Sequence, residues 1–152
     1  MNSFETYLSE RYSLSWEEMI KYHEMMLAEI QKAGYIPVVA HPERYDAIRR
    51  DPRLLQRWAR LGYVLQLNKG SVLGSLGSGA EQAANEILSM GLAHLFASDG
   101  HSSQTRTPHM GALRQWVEEL CDEHYAAILL EENPQRLLRG LPMAGANGFE
   151  AF

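Results

Sequence analysis

The sequence predicts an α/β protein in which parallel strands alternate with helices. Two observations carry this prediction: three short apolar runs each follow an amphipathic segment, and each run ends in polar residues. Continuous apolar runs are typical of strands buried on both faces of a sheet. The repeated order of helix, strand and loop favours a parallel sheet or barrel. In such folds the functional residues gather at the C-terminal ends of the strands.

Length and composition are those of one globular domain. The chain has 152 residues, of which 45% are hydrophobic and 22% charged, so it is expected to build a core. No apolar run approaches the roughly 20 residues that span a bilayer, and the N-terminal residues lack a signal-peptide pattern. We therefore expect a cytoplasmic protein. The net charge of −5 disfavours nucleic acid as a partner.

The first helix is predicted over residues 16–33. Ser15 and Glu18 have the spacing of a capping box, which marks a helix N-terminus. Apolar residues then recur at helical spacing up to Gly34, a residue suited to the turn beyond a helix. The apolar run 35–40 is predicted as the first strand, and it ends on His41.

The same order then repeats twice. Helices are predicted from residue 52 to 61 and over 80–90, followed by strands over 63–67 and 92–97. The glycine-rich segment 70–79 is interpreted as a connecting loop, with a mobile flap as the alternative. Further helices are predicted over 110–123 and 133–140, and residues 125–130 suit a strand or a helix, with helix favoured. Residues 141–152 are expected to form a flexible tail.

Polar side chains at the strand ends form a candidate metal site. His41 follows the first strand, and Asp99 and His101 follow the third. Imidazole and carboxylate groups are ligands for manganese, iron and zinc. A lone histidine is more often structural, and the Asp-x-His pattern is common by chance. The position of both clusters directly after buried strands is what favours a metal site.

Arginines beside these clusters indicate phosphate as the ligand. Arg44 and Arg106 carry planar guanidinium groups that match phosphate oxygens. A water bound to a metal ionises near neutral pH and attacks phosphorus directly, so no protein nucleophile is required. Cys121 lacks the Cys-x5-Arg arrangement of thiol phosphatases, because residue 127 is alanine, and it is interpreted as a core residue. The pattern predicts a metal-dependent phosphoesterase.

Several motifs in fixed order resemble one family. They are GYIPVVAHPERY at 34–45, Gln66-x-Asn68-x-Gly70-Ser71, FASDGH at 96–101, Arg106-x-Pro108 and Asn133-Pro134. Together they resemble the manganese-dependent tyrosine phosphatases of bacterial capsule and exopolysaccharide biosynthesis, within the polymerase and histidinol phosphatase (PHP) superfamily. The resemblance covers about residues 34–140. It implies a distorted (β/α) barrel that hydrolyses phosphotyrosine on the tyrosine kinase of polysaccharide assembly.

The resemblance also implies roles for individual residues. His41, Asp99 and His101 match metal ligands, with manganese expected and iron or zinc as alternatives. Arg44 and Arg106 match the phosphate-binding arginines. Independently of the resemblance, Gln66 and Asn68 alternate on one face of their strand and are expected to point into the cavity, where Asn68 is a candidate substrate contact. Glu5 is a further candidate ligand, although its spacing to His41 is longer than expected.

The extent of the domain follows from a missing motif. The family begins with a His-x-His pair, which is absent from this sequence. A typical eight-stranded barrel also takes roughly 250 residues. Residues 1–140 are therefore interpreted as the C-terminal portion of a PHP-type phosphatase domain.

Two alternatives stay open from the sequence. One is another PHP phosphoesterase, such as the histidinol-phosphate type, although the Pro-Glu-Arg-Tyr continuation after His41 favours the polysaccharide type. The other is an inactive fragment that binds a partner, because missing ligands lower metal affinity. A homo-oligomer is compatible with either.

Overall fold

The structure, a computed structural model, contains one parallel sheet of three strands in its described part. Residue 11, residues 14–104 and residues 106–145 are described, so Glu5 lies outside the described residues. The strands are β1 (Val38–Ala40), β2 (Val64–Asn68) and β3 (Leu95–Ala97), and β2 lies between the other two. Both pairings are parallel.

Helices precede and follow each strand, which confirms the predicted α/β class. The described α-helices are α1 (Trp16–Lys32), α2 (Asp46–Arg50), α3 (Leu54–Arg60), α4 (Lys69–Val72), α5 (Ser78–Ser89), α6 (Gly111–Leu120), α7 (Glu123–Ala127) and α8 (Asn133–Leu138). A 3-10 turn covers Pro42–Arg44 and a π-helical segment covers Ile128–Glu132. Within the described residues none of these helices is long and apolar enough to cross a membrane.

The start of α1 follows the predicted capping box. Ser15 Oγ accepts a hydrogen bond from the Glu18 backbone N–H at 3.3 Å, and Glu18 Oε2 accepts one from the Ser15 N–H at 2.8 Å. These bonds satisfy two backbone donors that the first helical turn leaves free. The hydrogen bonds from Ser15 also lower the pKa of Glu18. A purely local pattern therefore places this helix boundary correctly.

The observed strands β1 and β3 are shorter than the predicted ones, whereas β2 has the predicted length and begins one residue later. Pro37 has no N–H to donate to a ladder, and Tyr35 and Ile36 before it are exposed, so β1 begins only at Val38. Residues 125–130, which suited a strand or a helix, are helical. Two short helices, α2 and α4, lie in segments where the sequence predicted none.

The core forms around β2, whose five residues are all buried. Leu65 and Leu67 point to one face and are fully buried against the helices packed there. Fully or almost fully buried side chains from those helices and from the π-helical segment are Leu55, Trp58, Ile87, Leu113 and Leu129. Strong burial of β2 fixes its register, because a shift by one residue would turn these leucines away from the core.

The residues after α8 contact the body of the protein as far as they are described. Asn133 is fully buried, and its Oδ1 accepts a hydrogen bond from the Ala144 N–H at 2.7 Å. Met143 packs beside Val64 and Leu95. Residues 146–152 lie outside the described residues, and a flexible tail over 141–152 stays a prediction.

His94 makes the stability of this fold dependent on pH. Its Nδ1 accepts a hydrogen bond from the Leu65 N–H at 3.0 Å, and burial lowers the pKa of His94 to about 4. Because the unfolded chain binds this proton more tightly, the stabilisation is complete above the unfolded pKa of about 6.5. It is lost as the pH falls toward the folded value.

We therefore expect the free energy of unfolding to fall by roughly 2–3 kcal/mol between about pH 7.5 and about pH 4.5 through His94 alone. Urea unfolding of the wild type and of His94→Gln at both pH values measures this contribution, since the variant lacks the titrating ring. Equal pH dependence in the two proteins would contradict the assignment.

Candidate metal and phosphate site

Parallel pairing brings the ends of the three strands to one edge of the sheet. Ala40 lies beside Gln66, and Asn68 lies beside Ala97. The His41 N–H extends the first pairing by donating to the Gln66 carbonyl at 2.8 Å. The residues that follow β1 and β3 therefore leave the sheet next to the end of β2, as the sequence predicted.

The backbone turns sharply at both strand ends. His41 and Asp99 are the non-glycine residues with positive φ in the described part of the chain, at 40° and 48°. This left-handed conformation is unfavourable for residues with a side chain and costs on the order of 1 kcal/mol or more. Such residues are concentrated at functional sites, where the surrounding structure holds them.

Asp99 lies at the centre of the site. Its Oδ2 accepts a hydrogen bond from Asn68 Nδ2 at 2.7 Å and forms an ion pair with Arg106 Nη2. Arg44 Nη1 lies 3.9 Å from the same oxygen, and His101 Nδ1 lies 3.5 Å from Oδ1. Partial burial raises the pKa of Asp99, but the Asn68 hydrogen bond and the charge of Arg106 outweigh it, so the net pKa is lowered. The group is a carboxylate at neutral pH.

His41 is held as a neutral imidazole. Burial lowers its pKa, and the positive charge of Arg44 lowers it further. Its Nδ1 is buried and makes no hydrogen bond to another described residue. The ring meets Tyr45 edge-on at 6.3 Å, and Tyr45 stacks on His23 of α1 at 5.4 Å. A neutral ring with a free nitrogen is the form of histidine that binds a metal ion.

The donor chemistry fits a divalent transition metal, but the described geometry does not enclose one. His41, Asp99 and His101 offer two imidazoles and one carboxylate. No three such side chains converge on a common point in the described ranges. The His101 Nδ1 faces the Asp99 carbonyl oxygen at 2.7 Å, and the Asp99 carboxylate is engaged by Asn68 and Arg106. A complete coordination shell therefore needs these side chains to reorient and needs further ligands.

Arg44 and Arg106 approach the same carboxylate oxygen from two different loops. Their side chains are 41% and 42% exposed, so both guanidinium groups reach solvent. Two guanidinium groups carry ten N–H donors, far more than one carboxylate can accept. This surplus of donors, together with a net positive charge, suits a phosphate group that binds beside Asp99.

The position of Asn68 differs from that of the arginines. It is almost fully buried, and its side chain serves as a partner for Asp99. Gln66, two residues earlier on the same strand, directs its Nε2 to the Leu67 carbonyl at 2.6 Å. A direct contact of Asn68 with substrate stays a prediction, as do the roles of the other site residues.

Lys69 holds the loop that carries Arg106, a role that the sequence did not indicate. Its Nζ donates to the carbonyl oxygens of Thr107 and His109, at 2.5 and 3.0 Å. The N–H groups of His101 and Ser102 both donate to the Arg106 carbonyl, which closes the loop on itself. In the sequence Lys69 is preceded by a strand and followed by Gly70-Ser71, which resembles a nucleotide loop only superficially.

Glu43 is the second residue that sequence reasoning missed. It lies in the 3-10 turn after β1 and is fully buried. Burial raises its pKa, and hydrogen bonds from Ser71 and Asn68 offset part of that increase. In the sequence it stands between proline and arginine, as a solvent-exposed glutamate would. The only available signal was its position directly after a buried strand.

Fold and site together describe an α/β protein whose parallel strand ends carry a candidate metal and phosphate site. A family model for capsular polysaccharide synthesis, CpsB/CapC, matches residues 7–139, and the chain belongs to this family. The resemblance drawn from the motifs is thereby confirmed.

Three relatives illustrate the match. Tyrosine-protein phosphatase YwqE of Bacillus subtilis is 34% identical over 125 residues, covering 82% of this chain and 48% of YwqE. Putative tyrosine-protein phosphatase CapC of Staphylococcus aureus is 36% identical over 89 residues, covering 59% of this chain and 35% of CapC. Tyrosine-protein phosphatase CpsB of Streptococcus pneumoniae is 27% identical over 117 residues, covering 74% of this chain and 48% of CpsB.

A solved structure agrees with these relatives. It is described as one of the crystal structures of YwqE from Bacillus subtilis and CpsB from Streptococcus pneumoniae, unique metal-dependent tyrosine phosphatases. It matches with a TM-score of 0.71 at 33% identity, over 79% of this chain and 48% of that chain. The present chain thus spans about half the length of the relatives it matches.

Removal of the Lys69 ammonium group is expected to release the Arg106 loop. In Lys69→Met, amide hydrogen exchange of residues 101–109 should accelerate about tenfold, because two hydrogen bonds to charged nitrogen are lost. Hydrogen exchange followed by mass spectrometry measures this. Lys32→Met is the matched control, because Lys32 pairs with Glu29 on the exposed face of α1. Unchanged exchange in the loop would contradict the role of Lys69.

Proposed function

We propose that this chain takes part in metal-dependent hydrolysis of phosphotyrosine, as a portion of a capsule-synthesis tyrosine phosphatase. The observation that carries the proposal is the meeting of Arg44 and Arg106 at Asp99, next to the buried free nitrogen of His41. Membership of the CpsB/CapC family supports it, as do the names of the relatives.

The metal-binding role falls to His41, Asp99 and His101. Manganese is the expected ion, with iron or zinc as alternatives, and Glu5 is retained as a further candidate ligand. When bound, a divalent ion supplies Lewis acidity toward a phosphoryl oxygen and activates water for attack. The chain contributes a neutral His41 ring and an ionised Asp99, the protonation states that metal binding requires.

The phosphate-binding role falls to Arg44 and Arg106. Their guanidinium groups donate to the nonbridging oxygens of the phosphoryl group and stabilise the charge that develops on them. An incoming phosphate competes with Asp99 for Arg106, which would free the carboxylate for the metal. Asn68 keeps its hydrogen bond to Asp99 and so limits how far the carboxylate turns.

The proposed architecture is a distorted PHP-type (β/α) barrel of which this chain forms the C-terminal portion. Residues 1–140 belong to that domain. Support comes from the half-length match to the relatives and from the open order of the described strands, β1-β2-β3. The proposed substrate is a bacterial tyrosine kinase of polysaccharide assembly, and the proposed location is the cytoplasm.

Hydrolysis of a phosphotyrosine peptide by the purified chain with added Mn²⁺ tests the proposal. His101→Ala should reduce kcat/KM about tenfold or more, because one proposed ligand is lost. His124→Ala is the matched control, since that exposed histidine lies in α7 outside the site. Turnover that is insensitive to His101→Ala or to chelation would contradict the metal site, and absence of turnover in the wild type would contradict the proposed activity of this chain.

Arginine-to-lysine replacement separates the phosphate site from the metal site. Lysine keeps the charge of Arg44 but loses the planar pair of donors, so Arg44→Lys should weaken competitive inhibition by inorganic phosphate about tenfold. Mn²⁺ affinity measured by calorimetry should change little. The control Arg57→Lys alters an arginine that pairs with Glu24 away from the site. Unaltered phosphate inhibition in Arg44→Lys would exclude this arginine from the phosphate site.

A further inference from the structure

A fully buried glutamate lies behind the candidate site, and we propose that it orients Asp99 without touching metal or substrate. This residue is Glu43, and it acts through Asn68. The inference rests on the proposed function in one respect only, because it takes Asp99 as the group whose orientation matters.

Glu43 links two distant segments of the chain. Glu43 Oε1 accepts a hydrogen bond from the Asn68 backbone N–H at 3.1 Å and another from Ser71 Oγ at 2.6 Å. Glu43 belongs to the turn after β1, whereas Asn68 ends β2 and Ser71 lies in α4. One carboxylate oxygen therefore ties the β1 turn to the point where β2 becomes α4.

The Asn68 amide group has a fixed orientation. Its Oδ1 accepts a hydrogen bond from the Gly70 N–H at 2.9 Å, which caps α4. The oxygen is thus committed to the helix, and Nδ2 is left to donate to Asp99 Oδ2 at 2.7 Å. A flipped amide would place two N–H donors against the Gly70 N–H and an oxygen against a carboxylate, so the observed orientation is the one that is satisfied.

An apolar side chain at position 43 would break the link to Asn68 and Ser71. Burial of a carboxylate is unfavourable, and Oε2 makes no hydrogen bond within the described residues. Leucine would avoid that cost, but the Asn68 N–H and the Ser71 hydroxyl would then lose their acceptor in a buried place. The specific gain from glutamate is a fixed end of β2, from which Asn68 reaches Asp99.

Partners that orient a metal ligand from behind typically change metal affinity by about 10-fold to 100-fold when they are altered. Glu43 is a positioning residue of this kind, because it contributes an acceptor oxygen at the right distance from Asn68 and Ser71 rather than its negative charge. Glutamine has the same reach and an acceptor oxygen, whereas aspartate keeps the charge and is one methylene shorter. The two variants therefore separate position from charge.

The test uses Glu43→Gln and Glu43→Asp in the full chain, with Asn133→Ala as the control for loss of a buried polar group. Asn133 is as buried as Glu43 and also bonds to backbone, but it lies at α8. Three quantities are measured: the side-chain amide resonances of Asn68 by NMR, the Kd for Mn²⁺, and the thermal unfolding midpoint.

Glu43→Asp should shift the Asn68 amide resonances toward those of exposed asparagines and raise the Kd for Mn²⁺ about tenfold or more. Glu43→Gln should leave the Asn68 amide resonances in place and change the Kd for Mn²⁺ by less than about threefold. Asn133→Ala should lower the unfolding midpoint without changing the Asn68 resonances or the Kd. Unshifted Asn68 resonances in Glu43→Asp would overturn the inference.

Equal losses in Glu43→Gln and Glu43→Asp would also overturn it, because charge rather than reach would then be responsible. If Glu43→Asp does not fold, Glu43→Gln alone tests the inference. Unchanged Asn68 resonances and Mn²⁺ affinity in Glu43→Gln would support it, and shifted resonances or a weakened affinity would overturn it. A wild type that binds no Mn²⁺ would refute the proposed metal site, whereas the Asn68 resonances would still support or overturn the role of Glu43.

Discussion

The parallel pairing of β2 with both of its neighbours is the constraint on which the candidate site depends. β2 is buried along its whole length, and a shift of its register by one residue would turn Leu65 and Leu67 away from the main core and bring the polar side chains of Gln66 and Asn68 toward it. Pairing with β2 then determines where β1 and β3 end, and Asn68 is the last residue of β2. Packing on one face of the sheet thereby determines the distance between side chains that are far apart in sequence.

The site is also defined by an unequal balance of charge. Two guanidinium groups face one carboxylate, with a neutral imidazole and a partly exposed histidine beside them. The two guanidinium groups weaken the binding of a divalent cation at Asp99, and the Asp99 carboxylate weakens the binding of an anion at the arginines. The arrangement suits the two together, because a cation bound at the carboxylate and an anion bound at the arginines attract each other.

Features of the fold and the site that depend on interactions between residues close in sequence could be predicted from the sequence. The capping box of Ser15 and Glu18 acts over three residues, and the polar ends of the apolar runs are visible directly. Glu43 and Lys69 were missed because their roles come from contacts 25 to 40 residues away in sequence. The helix α4 was missed although its Asn68 cap is local, because the glycines that begin at Gly70 favoured a loop. The lengths of β1 and β3 were overestimated, since the apolar runs begin several residues before the residues that pair.

The left-handed backbone at His41 has a consequence for how this protein can be improved. Glycine or asparagine adopts that conformation at lower energy than histidine, so either residue would relieve backbone strain at position 41. The buried Nδ1 of His41, which has no hydrogen-bond partner in the described part of the chain, adds to the cost of keeping histidine there. Selection for thermal stability alone would therefore favour loss of the histidine at position 41, and with it the candidate ligand.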